Sequence, residues 1–534
     1  MKDGKTKKTD SFMYCQGMRM MDVAAYVYMF LLLGIYPLVY DDHYFNITIT
    51  KYHFFVFASG VYLILAILGF IVEANLRQYY HYKPLLSESI TKKRYFRPEF
   101  WMLAFLMANL FAWFCAPDKK DAFYGTQGRH MGLLAYFIIA AVFLLLAFRY
   151  RPHMVCFFIF SAASAFAYIV AICQHMENDF LDLKYRIAEN QYTKFISTFG
   201  NINMYACFLS ISIPVFLAVY VFAKEWYYRA VAGTMLVVAG INILISNSDS
   251  VFVGLFAGFF VLGILAYMQG RVRFFLSGIF WVMTGNLLLG VINRYATTRY
   301  DEKRGGLAIV LNRLDVALFA CGVVLVGYLL VRLAGKVWKN KLESLNKKKV
   351  VWIFCSACAV LFVVFIIFGI TSGSSFFRFD DKWGSYRGYI WRKIVEVYGD
   401  APAVNKLFGY GNETVRVTLK AVCYDEMVSV TGKVYDNAHN ELLQYLFTLG
   451  IVGLLSYLGL VISSIVYMIK NAHRNTWIYV CLGATVSYFA QSVLNLNQPI
   501  TTPYFFVFMA MGVGTVNYCK RLEEIGQDAG NTHS

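Results

Sequence analysis

The sequence predicts an all-α polytopic integral membrane protein with about fourteen transmembrane helices and a large extracytoplasmic loop between helices 11 and 12. Its 534 residues are 59% hydrophobic and only 15% charged, and the mean hydropathy of +0.52 is far too high for a soluble chain of this length. Apolar segments of about twenty residues recur along the chain, which is the length that crosses about 30 Å of hydrocarbon. Clusters of Lys and Arg separate these segments, as expected of cytoplasmic loops.

Each apolar segment is interpreted as one membrane span. The first, Met20–Tyr40, is too long for a signal-peptide core and has no small-residue cleavage site, so we expect it to be retained. The predicted spans lie near residues 22–40, 53–74, 100–116, 131–148, 154–173, 204–223, 229–246, 250–269, 274–292, 316–332, 351–371, 443–469, 477–494 and 503–519.

The positions of the basic residues predict the orientation of the chain. Lys/Arg-rich connections fall on every second loop, so both termini are expected in the cytoplasm. Because the net charge of +17 is concentrated in these short connections, we expect no nucleic-acid partner. Two loops, 117–130 and 293–315, are basic and yet lie on the predicted outer side. Basic residues kept there against the usual bias indicate a function.

The longest predicted segment outside the membrane, residues 372–440, mixes both charge signs and is expected to fold as an extracytoplasmic cap. The chain then divides into transmembrane helices 1–11 at residues 1–371, this cap loop, helices 12–14 at residues 441–519, and a cytoplasmic tail at residues 520–534. No repeat is visible that would divide the membrane region further.

One stretch of the predicted cap, RGYIWRKIVEVY, has helical periodicity. It places Arg387, Trp391, Ile394, Val395 and Tyr398 on one face of a helix. Such a face predicts a helix that lies along the membrane surface with its aromatic side chains at headgroup level.

The run DNAHN, residues 436–440, stands directly before the apolar segment of span 12. A neutral imidazole can take a proton from a hydroxyl group near pH 7, so His439 is a candidate general base that activates a sugar or another hydroxyl acceptor. The alternative is an interfacial histidine that caps the following helix, because polar residues are common at helix N-termini. Its position alone leaves both interpretations open.

Three motifs carry a resemblance to a known family. HNELLQYLFTLGIVGLLSY, residues 439–457, resembles the His-Asn and Gly-Ile-x-Gly-Leu signature of the O-antigen ligase and O-antigen polymerase superfamily. RGYIWRKIVEVYGDAPAVNKLFGYGNET, residues 387–414, resembles the family's Arg-x-x-x-Trp helix followed by a Gly-x-Gly turn. STFGNINMYACFLSISIPV, residues 197–215, is similar to the family's Gly-Asn-x-Asn segment at the start of an earlier span.

The resemblance implies a glycosyltransferase in the bacterial plasma membrane with its active site on the extracytoplasmic side. Such enzymes move a glycan from an undecaprenyl-diphosphate-linked donor to a hydroxyl of a glycan, lipid or protein acceptor, without a metal ion or another cofactor. It implies that His439 is the general base and that Arg387 holds the donor diphosphate, which a guanidinium can bind bidentately. Membrane lipids are the other expected partner.

Arg387 and Trp391 share a helical face because they are four residues apart. This spacing predicts that Trp391 lies beside the donor, in the lipid interface. The alternative for Arg387 is a side chain that extends along apolar surface to reach water.

The sequence departs from the ligase-type pattern at a second arginine. Many ligase-type members have a Ser-Arg-Gly-like motif after the Gly-Asn-x-Asn segment, whereas this chain has SNSDSVFVG, with Asp249 in place of the cation. Because an acid does not bind a diphosphate directly, either another arginine substitutes or the donor is held differently. Arg129 in FYGTQGRHMG, and Arg294 and Arg299 in NRYATTRY, are the candidate substitutes, with Arg129 ranked first.

Several asparagines are candidate substrate ligands. Asn201 and Asn203 lie at the mouth of a span and can bind sugar or phosphate, or Asn201 can cap the helix. Asn440 can orient His439 or the acceptor, or serve as a cap. The polar turn at residues 495–498 is a further candidate lining of the acceptor path.

Two other functions remain as alternatives. Asp41 and Asp42 are adjacent carboxylates that could bind a divalent cation in a metal-dependent lipid-sugar glycosyltransferase. A flippase or transporter of lipid-linked oligosaccharides would share the helix count, although its charges are expected deeper in the membrane. Within the preferred function, the sequence does not separate a polymerase from a ligase, because the motifs are common to both.

Overall fold

The computed structural model describes residues 20–80, 97–295, 310, 313–337, 346–373 and 377–531, and for 76–80 and 525–531 only the backbone. In this part of the chain the helices are α1 Met20–Leu38, α2 Ile47–Tyr80, α3 Pro98–Cys115, α4 Lys119–Tyr124, α5 Leu133–Arg149, α6 Val155–His175, α7 Ile202–Phe222, α8 Trp226–Ile245, α9 Ser250–Met268, α10 Val272–Tyr295, α11 Leu314–Val337, α12 Lys347–Thr371, α13 Trp383–Gly399, α14 Ala403–Phe408, α15 Val415–Thr431, α16 Glu441–Asn471, α17 Thr476–Ser492 and α18 Thr502–Asn531. A two-residue antiparallel pair, β1 Phe195–Ile196 and β2 Gly200–Asn201, precedes α7.

The prediction of an all-α, multi-pass membrane protein is confirmed. In the described ranges, 11 helices are long and apolar enough to cross a membrane. The shorter apolar helix α5 and the helices α17 and α18 occupy the remaining positions at which spans were predicted. The total of about fourteen crossings stays a prediction.

Helix α7 lies at the centre of the bundle, where it packs against α8, α9 and α17. In its most apolar stretch, 94% of the residues are buried inside the protein. This explains why its sequence is apolar on all sides rather than on one stripe, as expected of a helix surrounded by other helices. The residues that open α7 are therefore held rigidly at one end of the bundle.

The connections that were predicted to be cytoplasmic meet on one face of the bundle. Arg229, at the start of α8, and Arg271, between α9 and α10, both donate hydrogen bonds to the carbonyl oxygen of Ala223, which follows α7, with shortest distances of 2.6 and 3.3 Å. The Arg149 guanidinium pairs with the Glu73 carboxylate at 3.2 Å. Basic side chains are favourable there because they bind the unpaired carbonyls at helix C-termini. The segment between α12 and α16 lies at the other end of these helices.

Helices α13 to α15 form a small cap with a core of its own. Tyr389, Ile390 and Ile394 of α13 are fully buried against Leu419 of α15 and other residues of this cluster. Val395, which was expected to share the apolar face with Ile394, is instead 54% exposed. Helix α13 therefore uses most of its apolar face to fold the cap, and its placement along the membrane surface stays a prediction.

A break in α16 joins the cap to the membrane helices. Gly450 has a φ of 67°, which interrupts the helix and frees the carbonyls of the preceding turn. The carbonyls of Phe447 and Thr448 accept hydrogen bonds from the backbone N–H groups of Tyr410 and Gly411, at 3.1 and 2.8 Å. The Gly-x-Gly turn of the cap thus satisfies backbone groups that would otherwise be unpaired near the membrane.

Candidate active site

His439 lies in the segment 432–440, which leads from the cap into α16. Its backbone is left-handed, with a φ of 51°, a conformation that non-glycine residues adopt at an energetic cost and that often marks functional sites. Its N–H donates a hydrogen bond to Asn437 Oδ1 at 2.8 Å, which stabilises this conformation. The imidazole itself is half-buried.

Three buried polar atoms in residues 437–441 lack a hydrogen-bond partner in the described part of the chain. They are His439 Nδ1, Asn437 Nδ2 and Glu441 Oε2. Buried polar groups are nearly always hydrogen-bonded, so unpaired groups call for a specific explanation.

Three hydrogen bonds to two neighbouring helices fix the backbone around His439. The Tyr435 hydroxyl donates to the Ser385 carbonyl at 2.9 Å, and the Trp391 indole N–H donates to the Ala438 carbonyl, also at 2.9 Å. The Ala438 N–H donates to Gln444 Oε1 at 3.0 Å. These bonds tie the segment to α13 on one side and to α16 on the other, so that the position of the imidazole is set by both elements.

Asn440 is the N-cap of α16. Its Oδ1 accepts hydrogen bonds from the N–H groups of Leu442 and Leu443 at 3.0 and 3.1 Å, which pair two of the donors that every helix N-terminus leaves free. The geometry thus corresponds to the capping alternative. A direct contact of Asn440 with the acceptor stays a prediction.

Arg387 is a half-buried cation that has no partner among the residues the structure describes. It follows a left-handed turn at Gly384, Ser385 and Tyr386, with φ values of 58°, 60° and 70°. Within the described part of the chain, its guanidinium makes no hydrogen bond and no ion pair. Burial lowers the pKa of Arg387, and the nearby Tyr435 hydroxyl opposes this effect, but a guanidinium stays charged at neutral pH. An unpaired, partly desolvated cation is a favourable site for an anion.

Tyr435 lies between the two predicted catalytic residues. Its hydroxyl binds the turn that precedes Arg387, and its ring meets the His439 ring edge-on, with the centroids 6.0 Å apart. Burial, and then the positive charges of Arg129 and Arg387, lower the pKa of His439 to about 3. The structure therefore brings His439 and Arg387 together. Without a bound donor, the imidazole is neutral at physiological pH.

Trp391 lies beneath the histidine segment. It is half-buried, its ring packs against Trp383 with the centroids 5.2 Å apart, and its N–H binds the backbone next to His439. Trp391 thus contacts protein on two sides. Its predicted contact with the donor is not tested by this geometry.

Arg129 reaches the same site from the connection between α3 and α5. Its Nε and one terminal NH2 donate to the two carboxylate oxygens of Asp436, at 3.1 and 2.7 Å. Burial opposes ionisation of Asp436, but Arg129 outweighs it and lowers the pKa of Asp436. Arg129 therefore lies near His439 and is engaged by a protein carboxylate. Its binding of the donor diphosphate stays a prediction.

Of the two remaining candidate arginines, the structure describes only Arg294, and it does not bring this residue to the site. Arg294 is exposed near the end of α10. Within the described ranges it forms no ion pair. Arg299 lies outside the described residues.

Asn201 and Asn203 connect elements of the bundle. Asn201 caps α7, because its Oδ1 accepts from the N–H of Asn203 at 2.8 Å. The Asn203 Oδ1 accepts from Ser248 Oγ at 2.9 Å, and the Asn203 carbonyl accepts from Asn495 Nδ2 at 3.1 Å. The Gly-Asn-x-Asn segment, the segment with Asp249 and the turn at 495–498 therefore lie together. Binding of substrate by these asparagines stays a prediction.

The sequence analysis missed a buried polar network next to His439. Glu441 is fully buried, and its Oε1 accepts from the Tyr445 hydroxyl at 2.9 Å. The hydroxyls of Tyr445 and Tyr136 are 3.2 Å apart, and Asn497 Nδ2 donates to Tyr136 at 2.6 Å. An acidic residue at the first position of a membrane helix was the available signal. Tyr445 lies four residues later in the same helix, but spacing could not reveal Tyr136 and Asn497, which come from α5 and from the turn before α18.

A buried lysine was also missed. Lys51 of α2 is fully buried and donates to the carbonyls of Tyr36 and Pro37, at 2.8 and 3.2 Å. Both carbonyls belong to the last turn of α1, where helix carbonyls lack their usual i+4 partners, so Lys51 acts as its C-terminal cap.

The carboxylates proposed for a metal lie in the turn between α1 and α2. Asp41 and Asp42 are both exposed there. Across the ranges that the structure covers, no group of three or more His, Cys, Asp or Glu side chains is arranged to hold a metal ion. The alternative of a metal site at these two residues thus receives no structural support.

These features define a multi-pass membrane protein whose cap places a neutral histidine beside an unpaired arginine. A comparison with protein families adds a specific finding: the family model described as O-antigen ligase matches residues 305–458. The match covers less than a third of the chain, but it includes Arg387, His439 and the helix break at Gly450. It confirms the resemblance to the O-antigen ligase and polymerase superfamily. No curated protein matches the chain.

Proposed function

We propose that this protein is a membrane glycosyltransferase of the O-antigen ligase or polymerase type. In this proposal it moves a glycan from an undecaprenyl-diphosphate-linked donor to a hydroxyl acceptor, with residues of the cap carrying the chemistry. The main support is one observation: His439, with an unpartnered Nδ1, lies close to the unpaired cation Arg387. The family match over the same residues supports the reaction class.

His439 is the general base of the proposed reaction. A neutral imidazole accepts the proton of the acceptor hydroxyl as its oxygen attacks the anomeric carbon of the donor sugar. The bond between this carbon and the phosphate oxygen breaks at the same time, so that the configuration at the anomeric carbon inverts. The proton passes to His439, and the electron pair leaves with the diphosphate.

Arg387 holds the leaving group. A donor diphosphate carries about two negative charges, and a guanidinium binds phosphate oxygens through two parallel hydrogen bonds. The charge on the diphosphate increases as the glycosidic bond breaks, so a fixed cation stabilises the transition state more than the ground state. Arg387 needs no rearrangement to do this, because no protein carboxylate occupies it in the part of the chain described here.

The bound donor also changes the basicity of His439. Before the donor binds, the pKa of His439 is lowered to about 3 by burial together with the positive charges of Arg129 and Arg387. Two negative charges at Arg387 offset this repulsion and raise the pKa, because opposite charge nearby favours the protonated imidazole. The histidine therefore becomes an effective base when the donor is in place.

We place the reaction at the extracytoplasmic surface of the bacterial plasma membrane. The cap and the basic connections lie at opposite ends of the bundle, and basic connections are typical of the cytoplasmic side. The lipid tail of the donor then stays in the membrane beneath the cap. The acceptor reaches His439 from the aqueous side.

The test is the surface glycan made by cells whose only copy is wild type, His439→Ala or Arg387→Ala, at matched membrane levels. We expect wild type to make polymerised or attached glycan and both variants to lose it. Accumulation of single lipid-linked repeats in the variants indicates a polymerase, and long chains that remain on the carrier indicate a ligase. Normal glycan in both variants would show that the site is assigned wrongly.

A further inference from the structure

The connection between α3 and α5 is attached to the cap at several points. Arg129 binds Asp436 through two hydrogen bonds, and the Thr126 hydroxyl donates to Glu413 Oε2 at 3.0 Å. At the end of the membrane region, Asn412 Nδ2 donates to Asn109 Oδ1 at 2.9 Å. A connection from the first third of the chain thus holds the two ends of the cap sequence that flank α15.

Arg129 differs from Arg387 because the edge of its guanidinium that could bind an anion is already bound to a protein carboxylate. Its Nε and one NH2 form the edge of the guanidinium that binds an anion bidentately, and Asp436 occupies this edge. The Arg129 side chain is only 13% exposed, whereas that of Asp436 is 40% exposed. To bind a diphosphate in the same way, Arg129 would first have to leave a carboxylate with which it is mostly buried, and this is unfavourable.

The position of Asp436 shows what the pair acts on. Asp436 stands between Tyr435, which is bonded to the turn before Arg387, and Asn437, which holds the His439 N–H. Arg129 therefore binds the middle of a short segment whose two ends are attached to α13 and α16. Among the described residues, the hydrogen bonds of this ion pair are the only ones that join the segment to the connection between α3 and α5. Without them, the segment would stay attached to α13 and α16 at its two ends alone.

We propose that Arg129 and Asp436 form a positioning pair, which holds the His439 segment over the anion site at Arg387, and that Arg129 does not itself bind the donor. This inference rests on the proposed function, since it assigns the pair a role in the same reaction. It also corrects the expectation that Arg129 replaces the missing second arginine as a diphosphate ligand. Both residues then act on catalysis through His439.

Donor-site binding distinguishes a positioning pair from a ligand. The probe is undecaprenyl diphosphate, added to the purified full-length protein in nanodiscs and followed by the fluorescence of Trp383 and Trp391, whose rings are in contact. We expect Arg387→Gln to weaken binding about tenfold or more, and Arg129→Gln and Asp436→Asn to change it by less than about twofold. Arg416→Gln, which alters an exposed arginine of the cap, is the matched control. Weakening by Arg129→Gln as large as that by Arg387→Gln, with Asp436→Asn unaffected, would overturn the inference.

Glycan transfer in cells supplies a second readout. If the residues act as a pair, Arg129→Gln and Asp436→Asn lower transfer by the same factor, and the double variant is no worse than either single one. Independent losses that multiply in the double variant would contradict a pair. Arg416→Gln should transfer glycan at the wild-type level.

Hydrogen exchange separates this inference from the proposed function. Amides 433–440 should exchange faster in both single variants than in wild type and the Arg416→Gln control, because their fixed geometry is lost. Unchanged exchange there would refute the positioning role even if transfer is impaired. If His439→Ala still makes normal glycan, the proposed function is wrong, and the exchange data still decide whether the pair holds the segment.

Discussion

At the scale of single residues, the basicity of His439 is the quantity that most directly links structure to chemistry. Burial and the cations Arg129 and Arg387 lower its pKa to about 3 before the donor binds. A histidine protonates as the pH falls through its pKa, so a lowered pKa keeps the base active to more acidic pH. Binding of an anionic donor reverses part of this shift.

This coupling predicts different pH profiles for two kinetic parameters. Because kcat/KM reports the free enzyme and kcat the donor complex, kcat should fall at a higher pH than kcat/KM as the pH is lowered. Rates with donor purified from the producing cells, measured from about pH 8 to about pH 5, check this.

Glu413 needs a control in the same experiment. Burial raises its pKa to about 7, although Arg129 opposes this, so its protonation falls in the measured range. The variant Glu413→Gln removes that titration and leaves His439 as the group of interest. Acid limbs at the same pH for kcat and kcat/KM in this variant would contradict the coupling between donor and base.

Single residues were predictable from sequence where a local motif carried the information. His439 and Arg387 stood in family-like motifs, and the structure places them in one site. Asn201 and Asn440 were open between binding and capping, and the bonds that the structure gives them are caps. Glu441 was not singled out, because a lone acid at a helix start is common. Its partner Tyr445 lies in an apolar segment without a distinctive motif, and Tyr136, which binds Tyr445, is remote in sequence.

At the scale of elements, the break in α16 is the feature that the sequence did not reveal. Glycines such as Gly450 and Gly453 within an apolar segment ordinarily indicate close helix contact. The structure places Gly450 in a left-handed conformation, where a Cβ would lie 2.3 Å from the Leu407 carbonyl oxygen. Such a break depends on the cap chain that binds the freed carbonyls, and this tertiary contact leaves no periodic signal.

We predict that Gly450→Ala destabilises the protein by about 2–4 kcal/mol, because left-handed strain and steric overlap add. The measurement is thermal unfolding of the purified protein in detergent. Gly335→Ala in α11 is the control, since nothing lies within 4 Å of its Cβ. A melting temperature for Gly450→Ala no lower than that of the control would contradict the role assigned to the break.

Helix positions, by contrast, followed directly from the sequence. About twenty apolar residues must cross the membrane as a helix, since the hydrocarbon offers no other partner to the backbone. Helices therefore occupy every position at which a span was predicted. The face of α13 was assigned less well: Ile394 is buried and Val395 exposed, because the cap core, and not the membrane, selects the face.

At the scale of the whole molecule, the site is assembled by contacts that are remote in sequence. Arg129 and Asp436 are 307 residues apart, and Asn497 and Tyr136 are 361 apart. Spacing rules act within one helix or strand and do not reach such distances. The sequence therefore predicted the class of protein and the two central residues, but not the network that holds them.

The molecule as a whole separates two tasks. In our proposal, the bundle keeps a lipid-linked substrate at one end, and the cap, which is joined to it near Gly450, carries the groups that act on this substrate. In our proposal, Arg387 binds the donor and His439 performs the proton transfer. Loss of the histidine should therefore impair turnover and spare donor binding.

The most direct test of this claim is the turnover of purified His439→Gln with lipid-linked donor and acceptor, measured together with binding of undecaprenyl diphosphate. Removal of a general base should lower kcat by about 10²- to 10⁴-fold, while the affinity for the probe stays within about twofold of wild type. A loss of less than about tenfold in kcat would contradict the assignment of His439 as the base.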